Sequence, residues 1–461
     1  MKPSPENSSK PPISEIVTEK LQPNSSADSR RAFLKTSASA VAGSAIIGSA
    51  GFVPANHVAG RDVIRIGLIG CGGRGTGAAT QAMNTEGSTE LVAMADAFGD
   101  RLESCLDECT KAHKEKVKVP KENQFVGFDA YKGVMASDAD LIILATPPGF
   151  RPLHFEAAVN ANKHVFMEKP VASDPAGIRR VLAANEIAKA KNLAVQVGLQ
   201  RHHEPMYKQT MERLKDGAIG DINFARAYWN NEGVWTRPRQ PDQTELEYQM
   251  RNWYYFNWLC GDHINEQHIH NIDVINWLFD DFPIKAQGQG GRQVRTGKEH
   301  GEIYDHHFVE FTYGNNATML SQCRHQPGCW NAVSEHAHGS KGSCEISRGR
   351  IFDLDGKETW RAGQNVNGWQ QEHHDLFADL RAGKIPNEAE YGAKSTMTAI
   401  LGRMATYTGR EITWDQAINS TMNLADFDAL ATFGDEAPVQ PNEDMTYNIM
   451  QPGKSWDKVV G

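Results

Sequence analysis

Ile64-Arg-Ile-Gly-Leu-Ile-Gly-Cys-Gly-Gly-Arg-Gly75 decides how the rest of the chain is read. Ile64 to Ile69 is a short, mostly β-branched apolar run, the pattern of a parallel strand covered on both faces. It runs directly into Gly70-x-Gly72-x-x-Gly75 and then into the small, helix-compatible residues Thr76 to Met83. Gly70 permits a tight turn, Gly72 lets backbone approach a pyrophosphate, and Gly75 lets helix close on strand. Gly73 and Arg74 complete the loop. The helix start then offers free N–H groups and a positive dipole end to phosphate. A glycine loop of this kind is weak evidence alone. Its context strengthens it: Glu90-Leu-Val-Ala-Met-Ala-Asp96 reads as a second strand, ending on a carboxylate 21 residues beyond Gly75. An acid there suits the ribose hydroxyls of a dinucleotide; the competing use of Asp96 is to cap the next helix. No Arg or Ser adjoins Asp96 to hold a 2′-phosphate, although Arg101 is close, so NAD is expected over NADP.

Upstream, Met1 to Asp28 is rich in Pro, Ser, Asn and Lys and is expected to be disordered. Ser29-Arg-Arg-Ala-Phe-Leu-Lys35 precedes a stretch to Gly60 without Lys, Arg, Asp or Glu, made mostly of Ala, Gly and Ser. This is the pattern of a twin-arginine signal, with cleavage near Val53-Pro-Ala55 or His57-Val-Ala59. A membrane anchor is the alternative, but so many small residues insert poorly. The expectation is a periplasmic or otherwise exported protein that meets the twin-arginine machinery already folded. Such a protein would carry a tightly bound cofactor and regenerate it within its own cycle.

The 461 residues carry a net charge of −9, with 40% hydrophobic and 23% charged residues, which argues against a polyanion-binding surface or a nucleic-acid partner. The seven cysteines have neither a disulfide framework nor zinc spacing. A Cys323–Cys329 bridge is conceivable outside the cytoplasm; buried thiols are the plainer expectation.

Downstream, Ala139-Asp-Leu-Ile-Ile-Leu-Ala-Thr-Pro-Pro148 is another buried strand, whose Thr146-Pro147 turn would sit over the nicotinamide side. Lys163-His-Val-Phe-Met-Glu-Lys-Pro170 is a strand closing on a charged turn, with Ser173 or Asp174 capping the helix that follows. With the glycine loop and Asp96, these marks resemble the Gfo/Idh/MocA family (glucose–fructose oxidoreductase, inositol dehydrogenase), over roughly 62–414. The resemblance implies that Glu168 and Lys169 line the cofactor site, with Lys169 against the reacting hydroxyl. It departs from the family where a His is common five residues after the Thr; Arg151 stands there, and His154 three later.

In the second half, Arg201 follows a strand ending at Gln200, and Trp229 to Trp258, Trp235 included, is crowded with aromatics. Such a stretch suits either a carbohydrate pocket or ordinary core. Gly261-Asp-His-Ile-Asn-Glu-Gln-His-Ile-His-Asn-Ile-Asp273 continues apolar on one side to Leu278 and reads as a helix. Glu266, His270 and Asp273 would then form one polar stripe. The resemblance implies that His270 is the acid/base, that Glu266 replaces the family's usual Asp, and that Asp273 matches its last acid. Asp262 reads as a cap; His263 is a candidate substrate contact. A histidine oriented by a carboxylate can take a hydroxyl proton while hydride leaves for nicotinamide. A metal site from His263, Glu266, His268 and His270 competes, but His268 and His270 fall on different helical faces, and no metal is expected.

The expected architecture is α/β joined to α+β: signal region 1–60, Rossmann domain 61–198, and domain 199–461 with an open, mostly antiparallel sheet and helices on one face. The tail from Ile418 reads as loop. The resemblance implies a dimer or tetramer. The expected function is NAD(P)-dependent hydride transfer at a hydroxyl carbon of a sugar or sugar derivative. The alternatives are redox-neutral glycoside hydrolysis or elimination through transient oxidation, and a non-catalytic sugar-binding protein.

Overall fold

A computed structural model describes residues 63–460. The expected disordered start, twin-arginine signal and cleavage sites lie outside the described residues.

Strands β1 (Val63–Ile69), β2 (Ser88–Asp96), β3 (Gln124–Val126), β4 (Leu141–Leu144), β5 (His164–Met167) and β6 (Val195–Val197) form a parallel sheet in the order β3-β2-β1-β4-β5-β6. Ile64, Ile66, Leu68 and all of β4 are buried, as expected of strands with helices on both faces. Because β1 pairs with β2 on one side and β4 on the other, the sheet order reverses at β1, and the crevice beyond its C-terminal end is where such folds bind ligands. Gly73–Met83 is helical, as the small residues after the glycine loop predict. Asp174 caps the helix Pro175–Ala190 by accepting from the N–H of Gly177 at 2.7 Å.

The second sheet has nine strands: β7 (Ile222–Asn231), β8 (Lys285–Gly291), β9 (His306–Thr312), β10 (Thr318–His325), β11 (Ala332–Gly339), β12 (Gly342–Glu345), β13 (Arg350–Asp353), β14 (Glu358–Arg361) and β15 (Ile412–Thr413). Their order is β14-β13-β12-β11-β7-β10-β9-β8-β15, antiparallel except between β7 and β10. Strict alternation of burial along β10 leaves one sheet face for the helices Ile269–Phe279 and Ala389–Thr408. No helix among the described residues is long and apolar enough to cross a membrane.

Three features were not read from the sequence. The helix Gly368–Arg381 returns to the first half: its Leu376, Phe377 and Leu380 lie in the core of the parallel sheet with Ile64, Ala78 and Leu141. The expected loop tail is loop apart from a short helix, Trp456–Val459, yet its Phe427, Phe433 and Tyr447 pack among Tyr254, Phe256 and Trp258, and Phe433 stacks on Phe98 at 4.9 Å. The histidine-rich segment is not one helix. A short helix, His263–Glu266, ends at a turn over Gln267 and His268 before Ile269–Phe279 begins. Both turn residues are tied to β10: Gln267 Oε1 lies 2.7 Å from His325 Nε2, and His268 Nε2 lies 2.7 Å from Ser321 Oγ. These tertiary bonds override the helical period.

All seven cysteines are free thiols, six of them buried; Cys329 is exposed, and no Cys323–Cys329 bridge forms.

Candidate active site

The glycine loop owes its shape to two positions. Gly70 has φ +97°, where an L side chain is strained, and a Cβ there would lie 2.6 Å from the Ala145 and Thr146 backbone. A Cβ on Gly75 would lie 1.8 Å from the carbonyl oxygen of Gly70, so helix and strand meet there only through glycine. Gly72 and Gly73 face open space, with nothing within 4 Å of an added Cβ. That space belongs to a cavity of ≈460 Å³. On one side it is lined by Gly70, Gly72, Arg74, Asp96, Thr146 and Pro147, and on the other by Trp235, Arg237 and Trp253 of the second half. An open cradle at a helix N-terminus, with a strand-end acid beside it, fits a dinucleotide.

Asp96 does not cap the following helix by its side chain. Its Oδ2 accepts from the N–H of Cys71 at 2.6 Å and its Oδ1 from that of Phe98 at 2.9 Å, so it holds the glycine loop while lining the cavity. Arg101 lines the same cavity.

At the other end of the crevice, Arg74 donates to Glu168 at 2.5 Å and to Glu372 at 3.0 Å. Burial drives the Glu372 carboxyl well above its usual range, and the neighbouring Glu168 charge adds to this. Glu372 carried no sequence signal; it arrives on the helix Gly368–Arg381, and only the fold reveals it. Lys169 Nζ donates to the backbone carbonyl of Glu266 at 2.5 Å and to its Oε1 at 3.0 Å. Burial raises the Glu266 carboxyl, with Lys169 acting against that rise. His270 is buried, its ring stacked on Trp229 at 5.9 Å, and its Nδ1 has no hydrogen-bond partner. Burial first, and then the Lys169 charge, hold its pKa well below that of an ordinary histidine. The structure thus pairs Lys169 with Glu266 and sets His270 within reach of the Lys169 charge.

Arg151, at the position where the sequence departs from its resemblance, is buried and donates to the carbonyls of Thr146 and Pro170. It therefore clamps the Thr-Pro turn to the Lys169-Pro170 turn, and burial lowers its pKa to about 10. His154 Nδ1 lies 3.2 Å from Thr146 Oγ1 and steadies the same turn.

The four expected substrate contacts divide. Trp235 lines the cavity, packed edge-on against Trp253. Arg201 is instead committed to a buried ion pair with Glu335, which also accepts from Tyr207 and Asn271. Asp273 is held by Ser395 Oγ and His202 Nε2, each at 2.7 Å, rather than standing in a stripe with Glu266. His263 is fully buried against His325, away from the cavity lining. Charged groups with short sequence signals were drawn into core pairs by partners far along the chain.

Comparison with known proteins agrees with this geometry. A family model described as "Oxidoreductase family, NAD-binding Rossmann fold" matches residues 64–199, and "GFO/IDH/MocA C-terminal domain" matches 207–345. Inositol 2-dehydrogenase of Acidothermus cellulolyticus is 27% identical over 242 residues, 52% of this chain and 60% of that protein. That of Rhizobium meliloti is 25% identical over 295 residues, 63% of this chain and 78% of its own. The alignment with the first of these therefore spans three fifths of that relative's length. Among solved structures, scyllo-inositol dehydrogenase from Lactobacillus casei with bound NAD(H) and scyllo-inositol superposes with a TM-score of 0.59 at 21% identity, covering 77% of this chain and 99% of that one. Levoglucosan dehydrogenase in complex with NADH superposes with a TM-score of 0.60 at 16% identity, covering 76% and 99%. At those identities the structures speak for the fold. The two family models lie side by side across more than half the sequence, and this chain belongs to the Gfo/Idh/MocA family of oxidoreductases.

Proposed function

We propose that this protein is an NAD(H)-dependent oxidoreductase acting on a hydroxyl-bearing ring carbon of a sugar, inositol or related polyol. The observation that carries the reading is the pairing of Lys169, one residue beyond the Glu168 that binds the cavity-lining Arg74, with Glu266, the Lys169 charge acting on buried His270, whose Nδ1 has no partner. Bound nicotinamide supplies the hydride acceptor. The chain supplies the proton chemistry: Lys169 Nζ, oriented by Glu266, polarises the substrate hydroxyl. His270, kept neutral by burial and by Lys169, is in the base form needed to accept its proton. Trp235 and Trp253 offer aromatic faces to the C–H surface of a ring. Gly72, Gly73 and the helix start receive the pyrophosphate, and Asp96 the adenosine ribose.

The reading extends to an exported protein. The Arg30-Arg31 segment serves as a twin-arginine signal, the folded chain leaves with its cofactor tightly bound, and it works as a dimer or tetramer. The test is to denature protein recovered from its export route and identify released nucleotide by mass. The intact protein is then supplied with inositols, aldoses and glycosides. Stoichiometric NAD(H) that changes redox state with one of these supports the assignment. Aglycone release without net reduction would move it to the redox-neutral reaction. A protein that neither carries nor binds nucleotide sinks it.

A further inference from the structure

Behind the active site, and outside the cavity described above, Asp262, His263 and His307 converge in the protein interior. One ligand atom from each lies within 4.8 Å of the others. His307 Nε2 is 3.2 Å from Asp262 Oδ2, and His263 Nε2 is 3.8 Å from Asp262 Oδ1. Asp262 and His263 are wholly inaccessible to solvent, and His307 nearly so. We propose that these three side chains bind a divalent first-row transition ion, with zinc the ion of choice.

The hydrogen bonds around the group lead there. Thr406 Oγ1 donates to the carbonyl of Gly402 or Arg403, so it accepts from His307 Nδ1 at 2.9 Å. That places the His307 proton on Nδ1 and leaves Nε2 a lone pair facing a carboxylate, outside hydrogen-bond geometry. A lone pair directed at an anion 3.2 Å away is repulsive unless a proton or a metal cation stands between them. His263 is more exposed to the same difficulty: both its ring nitrogens are buried without any partner. Buried polar atoms are nearly always paired, so one lone-pair nitrogen from each of these two histidines, facing the same carboxylate without a partner, calls for an acceptor of lone pairs. Among the described residues no Lys or Arg side chain bonds Asp262. Its remaining bonds come from the N–H of His263 at 2.5 Å, the N–H of Tyr304 at 3.0 Å and the Tyr407 hydroxyl at 2.5 Å. Such bonds orient a metal-binding carboxylate, as the Thr406 bond orients His307.

The dimensions agree. With metal–ligand bonds of about 2.0–2.2 Å, neighbouring ligands of a tetrahedral ion stand about 3.3 Å apart. The two histidine–carboxylate separations, 3.2 Å to Oδ2 and 3.8 Å to Oδ1, bracket that value, and the group closes on an ion by drawing its side chains together from separations of at most 4.8 Å. Imidazole with carboxylate is a borderline set that suits zinc and its neighbours rather than calcium or magnesium. Asp262 also holds φ +71° and ψ 163°, a region costly for a residue with a side chain, and the chain keeps it there with the carboxylate turned inward. Of the residues first weighed from the sequence for a metal, only His263 belongs to this group. His268 bonds Ser321, His270 stacks on Trp229, and the third ligand comes from β9, 45 residues beyond Asp262. The helix that begins at His263 ends at Glu266, so the ion would fix the turn that presents Glu266 to Lys169.

The experiment is metal analysis of full-length protein made without a polyhistidine tag, followed by X-ray absorption at the edge of the metal found. The expected result is about one equivalent per chain that survives dialysis, with scattering from two imidazoles and an oxygen at about 2.0–2.2 Å. His263→Asn and His307→Gln should each lose it, and His336→Gln on β11 should keep it. Protein that is metal-free as isolated and takes up neither Zn²⁺ nor Co²⁺ on refolding overturns the proposal; the cluster is then a buried imidazolium–carboxylate pair. Full occupancy in both ligand variants also overturns it. If those variants do not fold, the wild-type spectrum decides, and absence of imidazole scattering counts against the site.

Discussion

Lys169 Nζ lies 2.5 Å from the backbone carbonyl of Glu266 and 3.0 Å from its carboxylate, so a single residue orients the lysine twice. The extra methylene of Glu over Asp is what lets the carboxylate turn back to Lys169. Glu266→Asp should therefore keep the carbonyl contact and lose the carboxylate contact, lowering kcat about tenfold, while Lys169→Ala lowers it about 10²–10⁴-fold. Both should bind nucleotide as the wild type does. Steady-state kinetics with a nucleotide titration checks this; full activity in Lys169→Ala would remove the lysine from the chemistry.

The acid side of the pH profile carries a second expectation. Burial and Lys169 hold His270 far below the ordinary value of 6.5, so its base form persists as pH falls through 6.5. The acid limb of kcat/KM should lie clearly below 6.5, and Lys169→Met, which removes the nearby charge, should move any residual limb upward. A limb at 6.5 in the wild type would mean that a solvated histidine is the base.

Two glycines of one loop should behave oppositely. Gly75→Ala drives a Cβ into the Gly70 carbonyl and should cost about 3 kcal/mol or more of stability. Gly72, at φ −74° with empty space around it, accepts Ala without strain. Gly72→Ala should melt like the wild type and lose nucleotide affinity by about tenfold or more, since the methyl fills the pyrophosphate cradle. Thermal melts with and without nucleotide separate the two effects.

His203 couples stability to pH. Burial alone would lower its pKa, but the hydrogen bond of Nδ1 with Asp375 at 2.7 Å and the Glu388 carboxylate 3.5 Å from Nε2 outweigh this and carry it up to about 9. A raised histidine contributes its stabilisation in full below the unfolded value of 6.5 and loses it as pH rises through 9. Unfolding free energy should thus fall by about 3 kcal/mol across that window. In His203→Gln the fall should be largely absent, which urea titrations at each pH would reveal.

Much of the dinucleotide half was legible because its signals are local. The Ile64–Ile69 run, the glycine spacing and the Glu168-Lys169-Pro170 turn each declare themselves within a few residues. The strand alternation of β7, β9 and β10 is equally local. What the sequence hid depends on distant partners. Nothing near Arg201 announces Glu335, 134 positions away, nor near Arg74 announces Glu372, 298 away. The helical period through Gln267 and His268 is genuine, yet bonds to Ser321 and His325 break the helix there. The tail looked featureless because aromatics at irregular spacing show no pattern until Phe433 meets Phe98 and Phe427 meets Phe150.

The helix Gly368–Arg381 has a bearing on how the protein is born. Its Leu376, Phe377 and Leu380 complete a core whose other members span residues 64–194. A ribosome that has released the six parallel strands has therefore made a core with part of one flank still bare, and well over a hundred more residues must emerge before the helix Gly368–Arg381 covers it. The nucleotide site, whose Arg74 waits for Glu372 on that same helix, reaches its final form only near the end of translation. Cutting the gene at the apparent domain border would yield two sticky fragments rather than two modules.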